Sequence, residues 1–147
     1  MQKTLSDVSL ARGFLGSLAV YLPTTNKRDS MNIEMDTKEL KFFNAYKEAI
    51  YFTDTGDADQ PELGAELCEV FERESAIDCL AFFSRIRCYL SDDQIEQAGH
   101  DFWFTRNGHG TGFCDRKDFY NADYASMFSQ IADTFGTAHA VFEEITQ

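Results

Sequence analysis

The run of residues that most constrains this chain lies between positions 99 and 116. It holds the only Trp, two of the three His and four of the nine Gly. At its centre, Asn107 and Gly108 form a pair that tolerates the positive φ angles of tight turns between antiparallel strands. Before this pair, residues 102–105 alternate with the two-residue period of a half-buried strand. The run therefore predicts a β-hairpin in which residues 101–105 pair with residues 111–114.

The polar side chains of this run would lie at the strand ends and in the turn of the hairpin. The candidate binding residues are His100, Asp101, Arg106, Asn107, His109, Asp115 and Arg116. Repeated glycines let a backbone come close to another molecule, and aromatic and Arg side chains are common anchors of interfaces. The pattern favours a recognition surface, with Arg106 and His109 exposed at the hairpin tip and Trp103 buried in the core.

Two other kinds of site would use the same residues. A zinc site would take its ligands from His100, His109, Cys114 and either Asp101 or Asp115. Structural zinc sites usually show paired ligands at short fixed spacings, and this sequence has none, so no metal or other cofactor is predicted.

A hydrolase is the alternative function. His109 would be its base, Asp101 or Asp115 would orient that base, and Arg106 and Arg116 would hold developing negative charge. Because no motif supplies a nucleophile, no residue is assigned a catalytic role.

The same run carries a resemblance to a known group of proteins. Residues 99–116 are similar to a segment that reads Gly-His-Asp-Phe-Trp-x-Thr-Arg-Asn-Gly-His-Gly-x-Gly-Phe-x-Asp-Arg in small proteins of tailed bacteriophages and related mobile elements. Phe104, Thr111 and Cys114 stand at its variable places. The resemblance implies a phage or prophage origin. It implies no activity, because none is established for that group.

The charge balance restricts the partners of the chain. It has 13 Lys and Arg against 25 Asp and Glu, a net charge of −12. A surface this negative repels nucleic acid and anionic membranes, and it attracts proteins with a basic surface. Together with the phage origin that the resemblance implies, this charge leads us to expect a small acidic phage accessory protein that binds a host or phage protein, acting as a nucleic-acid-mimicking decoy. Its phosphate mimics would be Asp54, Asp57, Asp59, Glu62, Glu66, Glu69, Asp92 and Asp93.

The cysteines indicate the compartment. Cys68, Cys79, Cys88 and Cys114 form no Cys-x-x-Cys pair, and three of them have apolar neighbours in helical stretches. This pattern predicts reduced, buried thiols in a protein of the host cell cytoplasm. No apolar run reaches the roughly 18 residues that a membrane span needs.

Outside residues 99–116, apolar residues spaced three and four apart predict helices. The first should run from Thr37, as its cap, to about residue 52. Pro61 suits the first position of a second helix, and Ser75 signals a break before the next one. Ser91 and Gln94 have the spacing of a capping box for a short helix.

Gly99 should end that short helix, and Gly136 should end a last helix after the hairpin. Residues 138–145 alternate in polarity and predict a strand beside the hairpin. The expected fold is α+β, a mainly helical single domain over residues 31–147 with a small antiparallel sheet at 101–114 and the C-terminal strand. Residues 1–30 are poorly patterned and are expected to be an N-terminal extension.

The charge gives the first testable prediction. Because low salt strengthens electrostatic attraction, filter binding at low ionic strength is the most sensitive test for nucleic acid. We expect the protein to retain neither duplex DNA nor RNA on the filter. Tight retention that weakens as salt is added would contradict the argument from net charge.

Overall fold

The computed structural model describes residues 33–54 and 65–144. Its elements are α1 (Thr37–Asp54), β1 (Ala65–Leu67), α2 (Glu69–Ile86), α3 (Ile95–Arg106), α4 (Lys117–Tyr120), α5 (Ala122–Asp133) and β2 (Phe142–Glu144). Short 3-10 turns lie at Arg87–Tyr89, Asp92–Gln94 and Phe113–Asp115. None of these helices is both long and apolar enough to cross a lipid bilayer.

The predicted fold class is confirmed, but the sheet is in a different place. The described residues are mainly helical, and β1 pairs with β2 in a two-stranded antiparallel sheet. Leu67 stands opposite Phe142 in its register. A strand near the C-terminus is therefore present, and its partner is the segment before α2.

The predicted hairpin over residues 101–114 is wrong. Residues 101–106 are the last part of α3, and residues 113–115 form a 3-10 turn. The buried residues of α3 show why, since they recur at three- and four-residue intervals: Ile95, Ala98, Gly99, Asp101, Phe102, Trp103 and Arg106. That spacing places one wide helical face against the core. The alternation at 102–105 covers only four residues, and burial of the longer helical face determines the structure of this segment.

Gly99 does not end a helix but lets two helices approach closely. A Cβ at this position would lie 2.4 Å from the backbone oxygen of Phe42 and 2.8 Å from the Cβ of Ala45. A glycine inside a helix costs about 0.5–1 kcal/mol relative to alanine. The close contact between α1 and α3 requires that glycine.

The core beside this contact is aromatic. Phe82 stacks on Phe102 with ring centroids 4.1 Å apart, and Trp103 meets Tyr46 edge-on at 5.4 Å. The Trp103 indole N–H donates to Thr53 Oγ1 at 2.8 Å. The predicted burial of Trp103 is confirmed, although it lies on a helix and not on a strand.

Two predictions of helix boundaries are wrong. Asp36, not Thr37, caps α1, because its carboxylate accepts from the Glu39 N–H while Glu39 accepts from the Asp36 N–H, each at 2.8 Å. Helix α2 begins at Glu69 and continues through Ser75, which is buried and does not break it. The predictions for Pro61 and for residues 1–30 lie outside the described residues.

Two helix signals are confirmed. Ser91 and Gln94 form a reciprocal capping box. Gly136 follows α5 with a φ of 73°, and its N–H donates to the carbonyl of Asp133.

The prediction of buried cysteines holds only in part. Cys79 is buried and Cys68 is half-buried, but Cys88 and Cys114 are exposed. Both exposed thiols lie in 3-10 turns, where no continuous apolar face covers them.

Gly99→Ala tests the contact between α1 and α3. Helix propensity alone would make this variant about 1 kcal/mol more stable. The steric conflict with Phe42 and Ala45 should reverse that sign and lower the free energy of unfolding by about 1–3 kcal/mol. Urea denaturation measures the difference, and a stabilised variant would show that the helices can separate at no cost.

Candidate functional site

A fully buried carboxylate lies at the centre of the candidate site. Asp101, on α3, accepts hydrogen bonds from Tyr120 Oη at 2.8 Å and from Gln97 Nε2 at 3.1 Å. Arg116 Nε lies 3.0 Å from each of its two oxygens. Burial and the nearby carboxylate raise the pKa of the Tyr120 hydroxyl above its ordinary value, so Tyr120 remains a donor. The buried charge is therefore paired and hydrogen-bonded, as a buried charge must be.

Arg116 is held at one end and unpaired at the other. Its Nε is bound to Asp101, while neither Nη atom has a hydrogen-bond acceptor among the residues that the structure describes. The side chain is 33% exposed. A guanidinium fixed by a buried carboxylate keeps one orientation, and its terminal N–H groups can therefore bind another molecule at little entropic cost.

Two cavities meet at Arg116 and share Gln97, and together we call them the Arg116 groove. The first has a volume of about 550 Å³ and the second of about 660 Å³. The first is lined by Glu48, Ala49, Tyr51, Phe52, Gln97, His100, Phe104 and Arg116. The second is lined by Gln97, Cys114, Asp115, Arg116, Lys117, Asp118 and Phe119. The groove thus combines aromatic rings with a positioned cation.

Both histidines of the run lie on this side of the molecule. His100 Nε2 is 3.1 Å from Glu48 Oε1, and both residues line the first cavity. His109 is exposed and packs beside Phe104, with ring centroids 6.1 Å apart, and beside Trp103 at 6.3 Å. His109 therefore lies near the rim of the first cavity, and His100 lies in its wall.

The structure places Arg106 away from the groove. Its guanidinium is buried and donates to Asp78 Oδ2 and to Tyr46 Oη, both at 3.0 Å. It also donates to the carbonyls of Gly136 at 2.8 Å and Phe135 at 3.0 Å. All of its nitrogens are used to join α1, α2 and the segment after α5. The expectation of an exposed Arg106 at a hairpin tip is wrong, since its position on α3 faces the core.

Asn107 has a similar structural role. Its amide donates to the carbonyl of Trp103 at 3.1 Å, and its oxygen accepts from the Ala138 N–H at 2.8 Å. The first hydrogen bond caps the C-terminal end of α3, and the second holds the segment that leads to β2 against that end. Of the seven predicted binding residues, the structure therefore assigns Arg106 and Asn107 to the fold.

The remaining five lie at or next to the Arg116 groove. His100, Asp115 and Arg116 line it, Asp101 supports it from below, and His109 is near its rim. The sequence reasoning missed the wall that α1 supplies through Glu48, Tyr51 and Phe52, and it missed Gln97 and Phe119. Gln97 could have been predicted from a helical reading of this segment, because residues four apart on a helix are neighbours and Gln97 precedes Asp101 by four residues.

The zinc alternative finds no geometric support in the described part of the chain. No group of three or more His, Cys, Asp or Glu is placed there to hold a metal ion, so His100, His109 and Cys114 do not form a zinc site. The Cys114 thiol contacts the Ser129 hydroxyl at 3.0 Å and no described histidine.

A comparison of the chain with protein-family models, with curated proteins and with solved structures found no match in any of the three. The function must therefore be argued from the groove itself.

Arg106→Ala tests the structural role of that residue. The variant would leave Asp78 without its partner and remove four hydrogen bonds from the core. We expect a loss of about 3 kcal/mol in unfolding free energy, at the lower end for a broken buried pair because Asp78 keeps partial access to water. His109→Ala, at an exposed position, should change it by less than about 0.5 kcal/mol. Equal effects of the two variants in thermal or urea unfolding would contradict this assignment.

Proposed function

We propose that this chain is a small acidic phage accessory protein that binds a protein partner through the Arg116 groove. The observation that carries the proposal is the arrangement of Arg116, whose Nε end is fixed by buried Asp101 while its Nη end is unpaired. A fixed Arg beside exposed aromatic rings is the composition typical of the residues that contribute most to protein interfaces.

The aromatic part of the groove supports the same proposal. Phe52 is 56% exposed at the end of α1, and Phe119 is 41% exposed on α4. Phe52 lines the first cavity and Phe119 the second, and Arg116 lines both. Covering such rings by a partner removes a large apolar area from water and favours association.

The net charge supports a partner with a basic surface. A chain of net charge −12 attracts a positively charged protein and speeds its encounter, and it repels the phosphates of nucleic acid. The partner would thus be drawn by the acidic surface as a whole and held by the groove.

The decoy form of this proposal has weaker support. Glu66 lies in β1 and Glu69 begins α2, whereas Asp92 and Asp93 follow the end of α2, and a helix of this length spans about 27 Å. Asp92 is already paired with Lys38 at 2.9 Å. The side chains of Asp54, Asp57, Asp59 and Glu62 lie outside the described part. The described carboxylates of the set therefore form separate patches, and the groove is the better candidate for the contact surface.

One observation favours the hydrolase as a second candidate. Glu48 and His100 form a carboxylate–imidazole pair in the cavity that Arg116 also lines. Glu48 could orient His100 as a base toward water, and Arg116 could stabilise an oxyanion. Catalysis inside a cavity would depend little on salt, whereas capture of a basic partner should weaken as salt rises.

The proposal predicts that the groove aromatics control partner capture. Phe52→Ala combined with Phe119→Ala should strongly reduce the partner recovered from host lysate, because two exposed rings leave the interface. The matched control combines Leu40→Ala with Ile77→Ala, which removes two exposed apolar side chains outside the groove. Quantitative pull-down at about 0.05 M and 0.5 M salt measures capture and its screening.

Both double variants should keep the stability of the wild type, since the removed side chains are exposed. Equal capture by the groove variant and the control would refute the groove as the binding surface. Salt-independent hydrolysis of a model ester that is lost in His100→Gln would favour the second candidate.

A further inference from the structure

The Arg116 groove has the geometry to recognise one particular chemical group. We propose that it binds a carboxylate presented by a protein segment next to an apolar side chain. This inference rests on the proposed function and names the chemistry of that contact. The carboxylate could belong to a chain terminus or to an Asp or Glu side chain, and the experiment below separates these two sources.

The unpaired edge of Arg116 is the first step of the argument. A guanidinium has a side edge that includes Nε and an end edge formed by the two Nη atoms. Asp101 takes Nε, which leaves the end edge with two parallel N–H groups and no acceptor among the described residues. Two parallel donors match the two oxygens of a carboxylate in a bidentate pair.

The support of Arg116 is the second step. Asp101 is itself fixed by Tyr120 at 2.8 Å and by Gln97 at 3.1 Å, so the carboxylate that positions Arg116 cannot easily turn away. The buried Asp101 carboxylate balances the charge of Arg116, but it does not use the N–H donors of the two Nη atoms. Preorganisation of this kind raises affinity because little side-chain freedom is lost on binding.

The surroundings of Arg116 are the third step, and they favour a carboxylate over a phosphate. Glu48, whose side chain is 68% exposed, lines the same cavity, and the whole chain carries −12. A dianionic phosphate would meet about twice the repulsion that a single carboxylate meets. Ala49, Phe52 and Phe104 supply an apolar wall that suits the rest of an amino-acid residue.

His100 supplies a further polar contact. Its Nε2 is directed to Glu48, and its other ring nitrogen has no partner within the described residues. A second polar group in the same cavity would fix the orientation of a bound carboxylate that Arg116 alone would only attract.

The test uses small probes on the full chain. N-acetyl-phenylalanine carries a terminal carboxylate, its amide lacks one, and N-acetyl-aspartyl-phenylalanine amide carries a side-chain carboxylate. Chemical-shift titration of the arginine N–H signals, with inorganic phosphate as a fourth probe, measures each dissociation constant. We expect at least one of the two carboxylate probes to bind about tenfold or more tightly than the uncharged amide and than phosphate. The carboxylate probe that binds more tightly shows whether the group is a chain terminus or a side chain.

Arg116→Lys is the variant that isolates the end edge. Lysine keeps a cation beside Asp101 but has no planar fork, so carboxylate binding should fall about tenfold or more while the thermal unfolding temperature changes little. Arg85→Lys, at an exposed position on α2, is the control and should bind as the wild type. If Arg116→Lys loses stability, Asp101→Asn combined with Arg116→Gln removes both charges and provides the same comparison.

The inference would be overturned by equal binding of the amide and the acids, by tighter binding of phosphate, or by full carboxylate affinity in Arg116→Lys. Binding of none of the probes at millimolar concentration would overturn it as well. Failure of the proposed function is separate, because it is read from partner capture by the Phe52 and Phe119 variants. If capture depends on those rings but not on the Arg116 guanidinium, the proposed protein binding stands and only the inference of a carboxylate ligand is refuted.

Discussion

The close approach of α1 and α3 at Gly99 is the contact on which the rest of the described structure depends. With only a hydrogen at this position, the backbone of α1 comes close enough for Phe102 and Trp103 to reach Phe42 and Tyr46. The same two helices also line the first cavity, α1 through Glu48 and Phe52 and α3 through His100 and Phe104. The core and the groove are thus two consequences of one helix pair.

Two buried polar interactions place the remaining elements around this pair. Arg106 ties the segment after α5 to α1 and α2, while Asp101 ties the 3-10 turn and α4 to α3 through Arg116 and Tyr120. The two side chains are five residues apart on α3 and have opposite charges. Each of the three nitrogens of Arg106 is hydrogen-bonded inside the protein, whereas both Nη atoms of Arg116 lack an acceptor among the described residues. This difference separates a structural arginine from a candidate binding one.

The sequence predicted the fold class and most helices because those features follow from local spacing and capping. The prediction was wrong at residues 101–106, because the alternation there and the Asn-Gly pair after it are typical of a hairpin. The helical period becomes visible only when Gly99 and Asp101 are counted as buried residues, which their residue types do not suggest. The site was predicted in part for the same reason. His100, Asp115 and Arg116 are close in sequence, but Glu48 and Phe52 come from a helix about 50 residues earlier, and no local pattern indicates that packing.

The single Trp has a consequence for how this protein can be observed. Trp103 is buried between α1 and α3, and its ring centroid lies 6.3 Å from that of exposed His109 near the groove rim. Its fluorescence therefore reports from one known position, with no second indole to mix with the signal. The emission of this one indole therefore reports on the contact between α1 and α3 in the unlabelled protein.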